Sequence, residues 1–245
     1  MAESISRVVT DTKKSFADWS HKYDSGILMP LFFRRIHKKV NNLIGDVNGK
    51  SVLDVGCGTG EFIAKISDEN PEAKITGIDL SEEMLAIARI KNKGRRNIEL
   101  LIGDSGKLPF DDERFDYVIS TVSLHHWPNQ KKSVREIYHV LKPRGKVLIA
   151  DLMVPGIGGK GTNRILPPKR MRELFSDSGF RNIQQYSASD SGKYGLASAA
   201  LGIPIAIGGL ASANLPACAI AAGMIAGGLT YSCPDWTSRI TIGEK

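Results

Sequence analysis

One run in this sequence has residue types and spacing that could bind a small ligand: Asp54-Val55-Gly56-Cys57-Gly58-Thr59-Gly60. It follows a short apolar stretch, SVLDV, and opens a segment with helical spacing. Glycines at a strand–helix turn let the backbone bend tightly and approach a ligand without Cβ clashes. The helix start adds free N–H groups and the positive end of a dipole, which suit a carboxylate or phosphate. A tight turn with no ligand would use the same residues, so its neighbours must decide. Asp79 lies about twenty residues on, ending the next strand, where an acid can accept both hydroxyls of a ribose. Asp104, after a third strand, puts another acid on the same edge and could accept a hydrogen bond from an exocyclic amine such as adenine's.

The spacing also discriminates among nucleotides. A dinucleotide fingerprint needs a third glycine three residues after the second. Counted from Gly58, that position is Glu61, an acid where a pyrophosphate would dock. Gly159-Lys160-Gly161-Thr162 breaks the pattern of a phosphate-binding loop and has no strand–turn–helix context. A ligand with adenine, ribose and a zwitterionic tail, but no phosphates, fits better.

His125 and His126 are the candidate bases, following the fourth strand on the same edge. The alternative is that one caps the turn before Pro128 and the other is buried and hydrogen-bonded. Zinc is a poorer reading, because adjacent histidines point differently and no third ligand has suitable spacing. Trp127 reads as a packing residue. Cys57 stands between loop glycines, where its small size suffices; a catalytic thiolate would need a base that the sequence does not show.

These residues need a scaffold that brings strand ends together. SVLDV (51–55), 74–79, 98–102, 115–120 and 146–151 read as strands. Helical faces fall between them at 61–68, at 82–88 behind the N-cap Ser81, and at Val134, Ile137, Tyr138 and Leu141. Pro143–Gly145 reads as a turn. A helix over 171–178 closed by Gly179, a strand over 181–187 and an alternating stretch, SRITIGE (238–244), complete the pattern. Alternating strands and helices with continuously apolar strands predict a parallel sheet covered on both faces. Residues 28–44 predict a further helix, with Leu28, Phe32, Ile36, Val40 and Leu43 on one face and Arg34, Arg35, Lys38 and Lys39 mostly off it. It either packs on the domain with its charges solvated or touches a membrane or an acidic substrate.

Composition sets the outer bounds. The chain has 245 residues, 42% hydrophobic and 24% charged, which excludes disorder, collagen or coiled coil as the whole answer. A net charge of +7 favours anionic partners without choosing among them. Three cysteines, Cys57, Cys218 and Cys233, are too few and scattered for a disulfide framework. The N-terminus lacks a long apolar stretch after a basic start, so no secretory signal is expected. From Tyr194 to Pro234 no residue carries a charge. Residues 196–232 could form a membrane hairpin turning at Ser212–Pro216, with Gly223 and Gly227 as a close-packing pair. A soluble Gly/Ala-rich insertion or a poorly ordered stretch are the other readings.

LDVGCGTG, GIDLS, GDSGKLPF, FDYVISTVSLHHW and LKPRGKVLIAD, in this order, resemble the class I S-adenosylmethionine-dependent methyltransferases. They look most like the subgroup that includes menaquinone and ubiquinone biosynthesis methyltransferases. The resemblance covers roughly residues 10–190. It implies an α/β, Rossmann-like, seven-stranded, mostly parallel sheet with an antiparallel last strand, carrying the apolar insertion near its C-terminus. The expected divisions are a helical arm 1–45, a core 46–192, the insertion 193–236 and a final core strand 237–245. By resemblance, Asp54 lies near the methionine amino group, and Gly56, Gly58 and Gly60 form the loop beneath the methionine moiety. Asp79 takes the ribose hydroxyls, Leu80 packs on adenine, Asp104 binds its amine with Ser105 beside it, and Ser120 lines the methionine side. Tyr23 resembles an arm tyrosine that closes over the donor.

The implied activity is methyl transfer to a small-molecule acceptor, a lipid or quinone precursor, without a metal. The expected location is cytoplasmic, with attachment to the inner face of a membrane through 196–232 or the basic helix left open. Two rivals are weighed. An RNA methyltransferase would exploit the net charge and KNKGRR (91–96), but Ser120-Thr121-Val122-Ser123 does not resemble the motif used on base amines, and no aromatic cluster accompanies the basic run. A donor-binding regulator without turnover is the other.

Overall fold

The computed structural model describes residues 28–152, 165–187 and 238–245. Tyr23, the arm before residue 28 and the uncharged run with Gly223 and Gly227 lie outside the described residues. Helix α1 (Leu28–Ile44) precedes β1 (Ser51–Val55), α2 (Glu61–Glu69), β2 (Lys74–Asp79), α3 (Glu82–Lys91) and β3 (Ile98–Ile102). Then come β4 (Phe115–Thr121), a 3₁₀ turn (Leu124–His126), α4 (Gln130–Val140), β5 (Leu141–Leu152), α5 (Pro168–Asp177), β6 (Arg181–Ser187) and β7 (Ser238–Glu244).

The seven strands form one sheet in the order β3-β2-β1-β4-β5-β7-β6. β1 to β5 are parallel, with Val52 opposite Ile75 and Leu53 opposite Val118. β7 runs antiparallel to both β5 and β6, as the resemblance implied. The order reverses between β1 and β4, and in open sheets of this kind the crevice at the carboxyl ends beside that reversal is where ligands bind.

The strands are apolar on both faces because both faces are covered. Val52, Ile75, Ile119, Leu148 and Ala150 pack with Ile36, Val40 and Ile44 of α1 and Phe62, Ile63 and Ile66 of α2. Their neighbours Leu53, Ile78, Val118, Val147 and Ile149 pack on the other side with Val134 and Ile137 of α4 and Met171 and Phe175 of α5. Burying one such side chain is worth ~1.5–3 kcal/mol, so a one-residue slip of any central strand is costly. On α1, Ile36 and Val40 lie inward as expected. Leu43 is only half-buried, and Phe33 and Ile44 are buried beside them.

Local signals set the ends. The Ser81 hydroxyl accepts from the Met84 N–H at 3.2 Å, with Glu82 and Glu83 in the first turn of α3. Past α5, Gly179 takes φ 102°, its N–H donates to the Ser176 carbonyl and that of Phe180 to Phe175, a Schellman closure. The turn expected at Pro143–Gly145 is instead an excursion within β5. Phe115 pairs with Leu141 but Tyr117 already pairs with Lys146. The chain end stabilises it, for the Arg144 N–H donates to the Lys245 carbonyl and the Lys245 N–H to that of Gly145, both at 3.0 Å.

Candidate functional site

The glycine turn is built by its connection to β2. The N–H groups of Gly56 and Cys57 both donate to the Ile78 carbonyl, at 2.8 and 3.0 Å, drawing the loop over the end of that strand. Gly56 takes φ 78° and Gly58 φ 53°, the left-handed region that favours glycine. At Gly56 a side chain is also excluded by space, since a Cβ would lie 2.0 Å from Ser123 Oγ. At Gly58 a Cβ would meet nothing within 4 Å, so the backbone there borders open space.

That space is a crevice open to solvent. Gly56, Gly58, Asp79, Leu80, Asp104, Ser105 and His126 of the expected site share its wall. Asp79 is held from both sides, Oδ2 accepting from the Gly58 N–H and Oδ1 from the Ser81 N–H, each at 2.9 Å. Burial pushes its carboxyl pKa up, while backbone N–H donors from Ser81, Gly58 and Leu80 oppose the rise. Asp104 is exposed at the rim and accepts from the Gly106 N–H at 2.8 Å. Ser105 is buried, with its hydroxyl 2.9 Å from that of Ser133.

The other expected residues stand behind the wall. Asp54 is 1% exposed, its Oδ1 has no partner among the described residues, and burial together with Asp79 pushes its pKa up to about 8. Ser120 is fully buried with an equally unpartnered hydroxyl. Gly60 precedes α2 at φ 74°, its Cα packed towards Asn92 and Ala88. His125 is buried, its Nδ1 2.6 Å from Asp151 Oδ1, and its backbone N–H donates to Asp151 Oδ2 at 2.9 Å. Its ring lies 3.9 Å, centroid to centroid, from that of His126. Burial, then the neighbouring His125, lowers the His126 pKa to about 3. His126 lines the crevice, and its burial keeps it neutral. Cys57 is buried, and burial, Asp79 and Asp54 push its thiol up, so it is no thiolate.

Sequence reasoning missed several lining residues, among them Met84, Thr121, Val122 and Ser123. Their signal was positional only, since each follows a strand end or a cap already identified. Val122 holds φ 53°, costly for a β-branched residue and stabilised by its N–H donating to the Ala150 carbonyl at 2.7 Å. Trp127 is a packing residue that also lines the crevice, donating from Nε1 to Ser123 Oγ at 3.0 Å.

Asp54, Asp79 and Asp104 thus gather at the carboxyl edge, and no basic side chain among the described residues pairs with any of them. Two buried, unpartnered oxygens and an open glycine backbone fit a ligand that brings its own cation and hydrogen-bond donors. Among the described residues no group of three or more His, Cys, Asp or Glu could hold a metal ion.

Comparison with known proteins agrees with this geometry. Residues 53–149 match the family described as a methyltransferase domain. The chain is 35% identical over 161 residues to a demethylmenaquinone methyltransferase of Listeria welshimeri, covering 62% of this chain and 68% of that one. Among solved structures, a chain in a complex of the Haloferax volcanii Trm112 methyltransferase activator superposes with a TM-score of 0.66. It is 21% identical and covers 94% of this chain and 96% of that one. An S-adenosylmethionine-dependent methyltransferase from Aquifex aeolicus gives 0.58 at 26% identity, over 69% and 89%. The chain belongs to the class I S-adenosylmethionine-dependent methyltransferases. Within that class its sequence is similar to the demethylmenaquinone methyltransferases, and it is an enzyme whose methyl donor is S-adenosylmethionine.

Proposed function

We propose that this methyltransferase acts on a small, lipid-soluble acceptor of the quinone-precursor type by in-line displacement. The observation that carries the acceptor class is the 35% identity to demethylmenaquinone methyltransferase over 161 residues. When bound, S-adenosylmethionine supplies a methyl group already activated on a sulfonium. The chain's own task is to position, to exclude water and to manage one proton.

In this reading Asp79 accepts the ribose hydroxyls with the lone pairs left over from its two backbone donors. Leu80 and Met84 pack on the adenine, and Asp104 with Ser105 receives its amine. The bare backbone at Gly56 and Gly58 lies beneath the methionine moiety. Asp54 and Ser120 hold their unpartnered oxygens below it, and Gly60 fixes the start of α2. Tyr23 is proposed to close over the donor. His126 touches the acceptor as a neutral imidazole that orients a hydroxyl or takes up its proton. His125, clamped by Asp151, holds the His126 ring in place and is a positioning residue.

Incubation with labelled S-adenosylmethionine and either a lipid extract or total RNA tests the reading. Label in an extractable quinone or lipid is expected. Label in RNA, or in neither fraction, overturns the acceptor class. KNKGRR is already partly spent, since Lys91 Nζ donates to Thr59 Oγ1 at 3.0 Å and Arg95 pairs with Asp68 at 2.9 Å.

A further inference from the structure

Helix α1 carries a cationic face that no acid among the described residues neutralises. Its sequence, LMPLFFRRIHKKVNNLI, has no acidic residue. Phe33, Ile36, His37, Val40, Asn41 and Ile44 turn inward, whereas Arg34, Arg35 and Lys38 are exposed on the opposite side. At about 100° per residue these three fall on one stripe. None of them has an ion-pair partner among the described residues. Two acids at the far end of the helix are engaged elsewhere: Glu69 accepts from Lys65 and Asn41, both at 2.6 Å, and Asp46, beyond the helix end, accepts from Asn48.

The direction of the helix fixes where that stripe lies. His37 reaches Thr121, at the carboxyl end of β4 and on the crevice wall, at 3.5 Å. Asn41 meets Glu69, the last residue of α2, and the Val47 N–H just beyond α1 donates to Asn70. α1 therefore runs from the crevice edge of the sheet to the opposite edge, and Arg34 and Arg35, one turn before His37, belong to the crevice end. From Phe33 onward the apolar face is used in the core and is not free to lie in a bilayer. At Arg34, Arg35 and Lys38 it presents charge outward.

We propose that Arg34, Arg35 and Lys38 dock this face on an anionic lipid surface, holding the crevice at the membrane in which a lipid-soluble acceptor resides. The proposal rests on the acceptor class proposed above and supplies its partner. Charge complementarity chooses the surface. A membrane is favoured over nucleic acid because the exposed stripe carries no aromatic side chain on which a base could stack. Each basic residue at an anionic leaflet is worth about a fivefold gain in partitioning, so three together give about a hundredfold. The attraction acts within a Debye length and weakens with salt.

The test is co-sedimentation of the full chain with vesicles of phosphatidylglycerol and phosphatidylcholine against phosphatidylcholine alone. The triple variant Arg34→Gln, Arg35→Gln, Lys38→Gln keeps good helix formers on an exposed face, and circular dichroism checks its fold. Lys93→Gln with Arg96→Gln removes two exposed cations elsewhere as a control. Expected are a preference of the parent for anionic vesicles that fades with salt, a loss of about a hundredfold in the triple variant, and little change in the control. No preference in the parent, an unaltered triple variant or an equal loss in the control overturns it. So does tighter, α1-dependent capture by total RNA at the same salt. The readout needs no turnover, so an enzyme that binds vesicles through α1 but labels no lipid would refute the acceptor class instead.

Discussion

Asp54 is a carboxyl group enclosed beneath a glycine turn, with one oxygen unpartnered and a second acid nearby. Its pKa of about 8 means that the fold holds a proton which the unfolded chain gives up near pH 4. Asp54→Asn keeps the shape of the neutral form, so the variant is expected to fold and to be more stable than the parent above pH 8 in the absence of ligand. Denaturant midpoints of both chains across pH check this, and equal midpoints at pH 9 refute it. Asp79 differs, because its oxygens face the crevice. Asp79→Ala is expected to weaken S-adenosylmethionine binding by tenfold or more in calorimetry, about 1.4 kcal/mol or above, while His126→Gln leaves that affinity unchanged and lowers kcat by about 10²-fold or more. Asp79 was legible in the sequence because strand-end spacing alone places it. The pairing of His125 with Asp151 was not, since it joins residues on β5 and a turn that only the folded sheet brings together.

The glycine turn, the β4 end and the 3₁₀ turn act as one unit at the scale of elements. Gly56 leaves just enough room for Ser123, Ser123 accepts from Trp127, and Val122 between them keeps a left-handed backbone. Gly56→Ala places a methyl group 2.0 Å from Ser123 Oγ on a backbone already unsuited to it. A loss of about 3 kcal/mol or more is expected in urea denaturation. Adding Ser123→Gly removes both colliding atoms and should restore part of it. If the double variant is no more stable than the single one, the coupling is wrong. The parallel strands and their capping helices could be read from periodicity, Ser81 and Gly179. The excursion in β5 could not, because the partners that stabilise it come from Lys245, a hundred or so residues later in a sheet whose last strand returns antiparallel.

Across the whole molecule, acids at the two ends of the sheet meet opposite fates. At the amino edge Asp116 accepts from Ser51 and from Lys142 at 2.8 Å; burial opposes, but these donors win and lower its pKa to about 2. At the carboxyl edge no cation among the described residues answers Asp54 or Asp79, and their pKa values rise. Two histidines shift the other way. Burial, then Lys65, takes His37 down to about 4, where it stacks on Phe62 at 4.6 Å, and His126 falls to about 3. A raised acid makes the folded state the better proton binder, so stability falls as pH climbs from about 4 to 8. A depressed histidine makes the unfolded state the better binder below pH 6.5, so stability falls as pH drops from there towards 4 and 3. Each proton contributes a slope of about 1.4 kcal/mol per pH unit. Below pH 6.5 the two histidines oppose the raised acids Asp54 and Asp79, and above it the histidines no longer act and the raised acids lower stability unopposed by them. The stability of the ligand-free enzyme should therefore fall as pH climbs from 6.5 to 8. His37→Phe, which preserves the stacking, should halve the acid-side slope contributed by the two histidines, and Asp54→Asn should flatten the alkaline side. Denaturation midpoints between pH 4.5 and 8.5 for the three chains decide the matter. A stability that rises steadily to pH 8.5 in the parent would contradict the protonation state assigned to Asp54.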